Sequence, residues 1–197
     1  TASILLGNHD NLAMVQRVNT SDQRGRNLIL IGFMGTGKTT IGKDVAKSLG
    51  FRFVDTDELI CRKAGKSVPK IFEEDGEVAF RLIETEIIEE YGKMTDQVIS
   101  TGGGIVTEKR NHPLLHQAGY VVWLKASPET IFDRVRRNKN RPLLQVDDPL
   151  QTIKLMLEDR TELYDAVDDL SINTDKLTLE EIKFGIVESA RVSLQLT

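Results

Sequence analysis

Gly32-Phe33-Met34-Gly35-Thr36-Gly37-Lys38-Thr39 follows the order G-x-x-x-x-G-K-[ST]. Glycines at such spacing let successive backbone N–H groups turn toward an anion with no Cβ in the way. A helix starting there adds unpaired N–H donors and the positive end of its dipole. In that setting Lys38 reaches the β- and γ-phosphates of a nucleoside triphosphate as a point charge, and the Thr39 hydroxyl ligates Mg²⁺. The pattern carries this meaning only between a strand and a helix. Before it, Leu28-Ile29-Leu30-Ile31 suits a buried strand. After it, Ile41, Val45, Ala46 and Leu49 recur on one helical face, and Gly50 stands where a C-terminal cap belongs. The competing reading, a glycine-rich turn that binds nothing, does not account for this full context. The chain is therefore expected to bind a nucleoside triphosphate. The loop alone does not say what becomes of it.

Other residues could complete such a site. Asp55 and Asp57 lie just past an apolar run, where one carboxylate could serve the metal and the other a substrate hydroxyl. Asp57 could equally be a helix cap and nothing more. Gly102-Gly103-Gly104 costs stability, so either something approaches the backbone closely or the backbone turns unusually; a plain loop is the alternative. Arg81 and Arg160 fall on separate helical patterns; together they could fork a carboxylate, singly each reads as a solvated charge. Arg134, Arg136, Arg137, Lys139 and Arg141 make a basic cluster before Pro142-Leu143-Leu144. It is either a charged helix end or a lid that lowers positive charge onto the phosphates. His112 and His116 could share a helix face, but no H-E-x-x-H completes a zinc pattern. Trp123 and Cys61 read as packing residues.

The elements that must position these groups alternate in type. Strands are expected at 28–31, 51–54, 97–100, 120–124 and 170–172, with helical patterns at 78–90, 127–137, 150–164 and 179–194. Strands alternating with helices argue for a parallel sheet covered on both faces, with ligands beyond the carboxyl ends of the strands. The P-loop, Asp55-Thr56-Asp57, the glycine triplet and Asn173-Thr174-Asp175 all fall at those ends.

Bulk composition bounds the rest. The 197 residues suit one domain, with residues 1–26 set apart as an N-terminal extension, in part disordered, whose polar end from Thr20 to Arg26 reads as a linker. Net charge is −4, so no global basic surface favours a nucleic-acid partner. No apolar run reaches the ~20 residues of a membrane helix, and Ile4-Leu5-Leu6 is too short for a signal core. The single cysteine rules out an intramolecular disulfide and suits a reducing compartment. A monomer is the expectation.

Taken together, the motifs resemble shikimate kinase from about Leu28 to the C-terminus. The distinctive part runs from Arg81-Leu82-Ile83-Glu84 through Val98-Ile99-Ser100-Thr101-Gly102-Gly103-Gly104-Ile105-Val106, with the P-loop, Asp55-Thr56-Asp57 and Arg141-Pro142-Leu143-Leu144 in the expected order. The resemblance implies an α/β P-loop kinase, a three-layer α/β/α sandwich on a five-stranded parallel sheet. It implies a kinase domain over 27–197, with a substrate-binding helical region at about 57–92 and a mobile lid at about 137–149. The implied reaction moves phosphate from ATP to the 3-hydroxyl of shikimate, in aromatic amino-acid biosynthesis, in the cytoplasm or, in a plant, the plastid stroma.

By position, the resemblance implies that ATP is held by Gly35, Thr36, Gly37, Lys38, Thr39 and Thr40, with Arg137 and Arg141 beside it, and Mg²⁺ by Thr39 and Asp55. Asp57, Arg81, Gly102, Gly103, Gly104 and Arg160 would bind shikimate. Lys38, Asp57 and Arg141 would act in catalysis, and the loop from Thr174 to Thr178 would touch adenine. Other small P-loop proteins fit less well. The chain lacks the Asp-Gly-Phe-Pro-Arg stretch of adenylate kinases, the Asp-Arg-x-Pro-Trp-Leu pattern of gluconate kinases and the Asn-Lys-x-Asp motif of guanine-nucleotide switches.

Overall fold

The chain's apolar runs form strands that stack side by side with their carboxyl ends at one rim. The structure, a computed structural model, describes residues 15–16, 24–136 and 146–196. The strands are β1 (Val15–Gln16), β2 (Asn27–Ile31), β3 (Arg52–Asp55), β4 (Gln97–Ser100), β5 (Gly119–Lys125) and β6 (Leu170–Asn173). The helices are α1 (Lys38–Leu49), α2 (Thr56–Ala64), α3 (Val68–Glu74), α4 (Gly76–Tyr91), α5 (Asn111–Ala118), α6 (Pro128–Val135), α7 (Pro149–Asp165) and α8 (Leu179–Ser193), with a short 3-10 turn at Ile105–Thr107. The sheet order is β1-β6-β5-β2-β4-β3. Strands β2 to β6 are mutually parallel, and β1 adds an antiparallel pairing, Val15 opposite Ser171. The five expected strands are all present, and α1, α4, α6, α7 and α8 lie where helical periodicity put them.

Alternation along the strands divides the core into two layers. Leu28, Leu30, Val98 and Val122 face α1 and α8, where Ile41, Val45, Ile182 and Ile186 are buried. Ile29, Ile31, Ile99, Val121 and Trp123 face the other way, onto Ile88, Val106, Leu115 and Tyr164. Burying each such side chain contributes about 1.5–3 kcal/mol, so a one-residue slip of β2 would be prohibitive. Gly50 adopts the left-handed conformation at the end of α1 (φ 69°) and its N–H closes on the carbonyls of Ala46 and Lys47.

Between β3 and β4 the chain leaves the sheet. Helices α2, α3 and α4 pack on each other through Ile60, Ile71, Phe80 and Ile87, a separate small core. His112 and His116 both lie on α5, where His112 Nε2 and the Val106 carbonyl oxygen are 2.7 Å apart.

The end of the expected linker is tied down. Arg24 Nη1 donates to both carboxylate oxygens of Asp169 (2.6 and 2.7 Å), Gly25 N–H to the Gln117 carbonyl (2.7 Å), and Arg26 to Asp96 (2.6 and 2.7 Å). Asp169 is buried, and a buried carboxylate requires such a partner. Residues 24–26 are thus bonded to the folded chain.

Candidate active site

Loop 32–37 joins the buried end of β2 to α1. Gly37 caps the helix in the left-handed region (φ 96°), a backbone conformation that side chains rarely adopt. Neither a side-chain cap nor an acidic residue in the first turn competes for the free N–H groups of α1. The buried Lys38 folds back over the loop, Nζ donating to the carbonyls of Gly32 (2.7 Å) and Phe33 (2.9 Å). Thr36 Oγ1 donates to the same Phe33 carbonyl (2.8 Å). Thr39 and Thr40 are exposed on the first turn.

The end of β3 meets that turn. Thr39 Oγ1 donates to Asp55 Oδ2 (2.9 Å), while Asp55 Oδ1 accepts the Asp57 N–H (3.0 Å). The helix cap is therefore Asp55, and Asp57, the residue singled out for that role, sits in the first turn of α2. Helix α2 begins at Thr56, directly after the last strand residue, which puts the cap at Asp55. Thr39 and Asp55 offer hard oxygen ligands at the mouth of the phosphate loop. That set fits Mg²⁺, which is usually held by one or two carboxylates plus substrate phosphates and water. No cluster of three His, Cys, Asp or Glu side chains gathers among the described residues.

The glycine triplet follows β4 and is bound to the end of β2, Thr101 donating to the Leu30 carbonyl through both N–H (3.1 Å) and Oγ1 (3.0 Å). None of the three glycines has positive φ. What they permit is close approach. A Cβ on Gly104 would lie 2.6 Å from Arg81 Cζ; one on Gly102, 2.6 Å from Glu84 Oε1 and 3.0 Å from Asp57 Oδ1; one on Gly103, 3.0 Å from the P-loop nitrogen of Met34.

Arg81 is buried on α4, its Nη1 donating to Glu84 Oε2 (2.8 Å) and its Nη2 to Glu77 Oε1 (3.0 Å). Arg160 reaches in from α7, its Nη1 donating to the Gly103 carbonyl (3.3 Å) and its guanidinium over the Phe33 ring at 5.5 Å. The arginines thus converge on the triplet from two different helices, α4 and α7. Glu84 is fully buried and its Oε1 has no hydrogen-bonding partner. Burial pushes its carboxyl up to about 7; Arg81 and Arg160 pull the other way and Asp57 adds to the rise. The pair is unequal, because Arg81 also has Glu77 and stays a cation, whereas Glu84 has one close partner and is half-neutralised near pH 7. A cavity of about 440 Å³ lies between Phe33, the end of β5 and Leu157 and Thr161 of α7; neither arginine, nor Glu84, nor the triplet lines it.

The sequence pattern of the family described as shikimate kinase matches residues 34–191. The chain belongs to the shikimate kinase family. A shikimate kinase from Thermodesulfovibrio yellowstonii is 46% identical over 163 residues, 83% of this chain and 94% of the relative. One from Geobacter sulfurreducens is 44% identical, covering 85% and 92%. A solved structure of shikimate kinase from Acinetobacter baumannii in complex with shikimate has a TM-score of 0.82 at 39% identity, covering 89% of this chain and 97% of that one. This likeness assigns the P-loop kinase fold. Shikimate kinases carry out the ATP-dependent phosphorylation of shikimate, so the chain is a phosphotransferase acting on an alcohol.

The structure brings Lys38, Thr39, Asp55, Asp57, Arg81, Arg160 and the triplet to one rim of the sheet. Arg137, Lys139 and Arg141 lie outside the described residues, as does most of the lid expected at 137–149. Of the basic cluster, Arg136 faces Asp133 at the surface (3.4 Å). Arg134 does more than the charged helix end it could have been, linking the Gly35 carbonyl (3.2 Å) to Thr174 Oγ1 (3.2 Å) and the Thr174 carbonyl (3.3 Å). Glu84 and Tyr164 were missed as site residues. Their signal was helical spacing, Glu84 three after Arg81 and Tyr164 four after Arg160.

Proposed function

We propose that the γ-phosphoryl of ATP passes to the 3-hydroxyl of shikimate at the rim between the P-loop and the glycine triplet. The observation that carries this reading is the convergence of Arg81 and Arg160 on a triplet packed against the P-loop backbone. Two guanidinium groups at a surface without side chains suit a small cyclic carboxylate, each charged hydrogen bond contributing about 1.5–3 kcal/mol. Gly102, Gly103 and Gly104 would let the ring approach the backbone. Asp57, close to Gly102, would orient the acceptor hydroxyl.

Phosphoryl transfer requires positioning and charge neutralisation more than covalent chemistry. Gly35, Thr36, Gly37 and Thr40 would present N–H groups to the phosphates, and Lys38 would exchange its loop carbonyls for phosphate oxygens. As the hydroxyl oxygen bonds to the γ-phosphorus, the bond to the β–γ bridging oxygen breaks, ADP keeps the electron pair and the hydroxyl proton passes to Asp57. Thr39 and Asp55 would hold Mg²⁺, which when bound offsets phosphate charge. Arg141 and Arg137 would supply lid charge and adenine contact, respectively.

The kinase domain is taken as 27–197, with the substrate region at 57–92 and the lid at 137–149. The active form is taken as a cytoplasmic monomer, without nucleic-acid or membrane partners; no helix among the described residues is long and apolar enough to cross a membrane. The deciding experiment measures ADP release with shikimate, quinate or gluconate as acceptor. Shikimate-dependent turnover well above the other two is expected. Absence of shikimate-dependent ADP release would overturn the assignment.

A further inference from the structure

Tyr164 is fully buried on α7, four residues after Arg160 and on the same helical face. Its hydroxyl donates to the Gly103 carbonyl at 2.5 Å, the same oxygen that Arg160 Nη1 approaches at 3.3 Å. Its ring is stacked on Trp123 of β5 (centroids 5.2 Å apart, planes 20° apart), and the Lys125 ammonium lies 3.8 Å from the centroid of that indole. The phenol is therefore held by the sheet, not by α7 alone. Burial pushes its pKa upward, so it remains a donor throughout the working pH range. Gly103 is confined on its other side by the P-loop backbone at Phe33 and Met34.

We infer that Tyr164 is a positioning residue for the acceptor: by satisfying the Gly103 carbonyl it frees the Arg160 guanidinium to turn onto the substrate carboxylate. Two donors share one carbonyl, and the shorter bond belongs to the neutral one. A buried carbonyl without a partner is costly. Once the hydroxyl is removed, Arg160 is the remaining side-chain donor to that oxygen and is drawn away from substrate. The phosphate end does not depend on this bond. Tyr164 thus acts on shikimate binding through Arg160, which rests on the clamp reading above.

Steady-state kinetics on Tyr164→Phe, Arg160→Ala and the double variant, with a thermal melt of each, test the inference. Tyr164→Phe keeps the ring and its stacking. It is expected to raise KM for shikimate about tenfold, with KM for ATP within about twofold and kcat within about threefold. In the Arg160→Ala background the same change should add less than about twofold, because its route is already gone. Equal rises in both KM values, a lowered melting temperature with unchanged KM, or full additivity in the double variant would each overturn it. If Arg160→Ala leaves KM for shikimate unchanged, the clamp itself fails. If Arg160→Ala raises KM and Tyr164→Phe does not, only the role of Tyr164 fails.

Discussion

The two ends of the site are built by opposite means. The phosphate end proposed above falls within residues 32–40, a short loop and the helix start that follows it, and its lysine is held by carbonyls of the same loop. The acceptor end draws Arg81 and Glu84 from α4, a glycine triplet from the end of β4, and Arg160 and Tyr164 from α7. Backbone N–H groups can surround an anion through local turns, because every residue brings one. A small carbocyclic acid offers no such repetition, so its grip comes from long side chains that meet only when the sheet assembles. The ends differ in exposure too. Thr39 and Thr40 are exposed, whereas Arg81 and Glu84 are buried and paired.

The contrast can be broken most severely at Lys38. Lys38→Ala is expected to lower kcat about 10³-fold, the scale of removing one preorganised charge stabiliser, with little change in shikimate binding. Retention of activity within about tenfold would contradict the role given to it. Next are the two arginines. Arg81→Ala and Arg160→Ala should each raise KM for shikimate by about 10- to 100-fold, with KM for ATP nearly unchanged. Equal loss for both substrates would dissolve the distinction between the ends. The arginines should also differ from each other, since Arg81→Ala leaves buried Glu84 without its close partner and should lower the melting temperature more.

Gly104→Ala is the milder test of close approach. The added Cβ meets Arg81 Cζ at 2.6 Å and should displace the guanidinium, raising KM for shikimate by about tenfold. An alanine variant with unchanged KM for shikimate would show that the glycine is not needed for the grip.

The smallest effect on turnover, and the one read as stability, concerns Glu84. Its folded pKa, about 7, lies above the ordinary 4.5. The folded protein therefore binds the proton more tightly than the unfolded chain. That contribution is fully present below about pH 4.5 and is lost as pH rises through 7. The full shift corresponds to on the order of 3 kcal/mol. Glu84→Gln should flatten this dependence, seen as a smaller change in urea midpoint between about pH 5 and pH 8 than the parent shows. Parallel pH profiles for the two proteins would remove Glu84 as the titrating group.

Reading residues along the chain reaches as far as local rules do. The strand-loop-helix around Lys38 was legible because apolar run, glycine spacing and helical period all fall within one window, and Gly50 closes it as expected. The five strands were legible for the same reason. Asp55 and Asp57 were singled out, but which of them caps α2 depended on where β3 ends, a matter of one residue of pairing with Ser100. Helices α2, α3 and α5 carried no clear periodic signal of their own, being short and stabilised by neighbours, α2 and α3 by Phe80 and Ile87 and α5 by the sheet layer that buries Leu115. The ion pairs of Arg24 and Arg26 lie with carboxylates far along the chain, beyond any pattern.

Sequence by itself determined the phosphate cradle, the class of fold and the family, because each depends on residue order within short windows or on several motifs in series. Tertiary structure alone decided that Arg81 and Arg160 share one cradle, that Glu84 is buried deeply enough to hold its proton near neutrality, and that Tyr164 and Arg160 meet at a single carbonyl. Those outcomes depend on distances between elements and on exclusion of water, and both exist only after the sheet and its helices have packed.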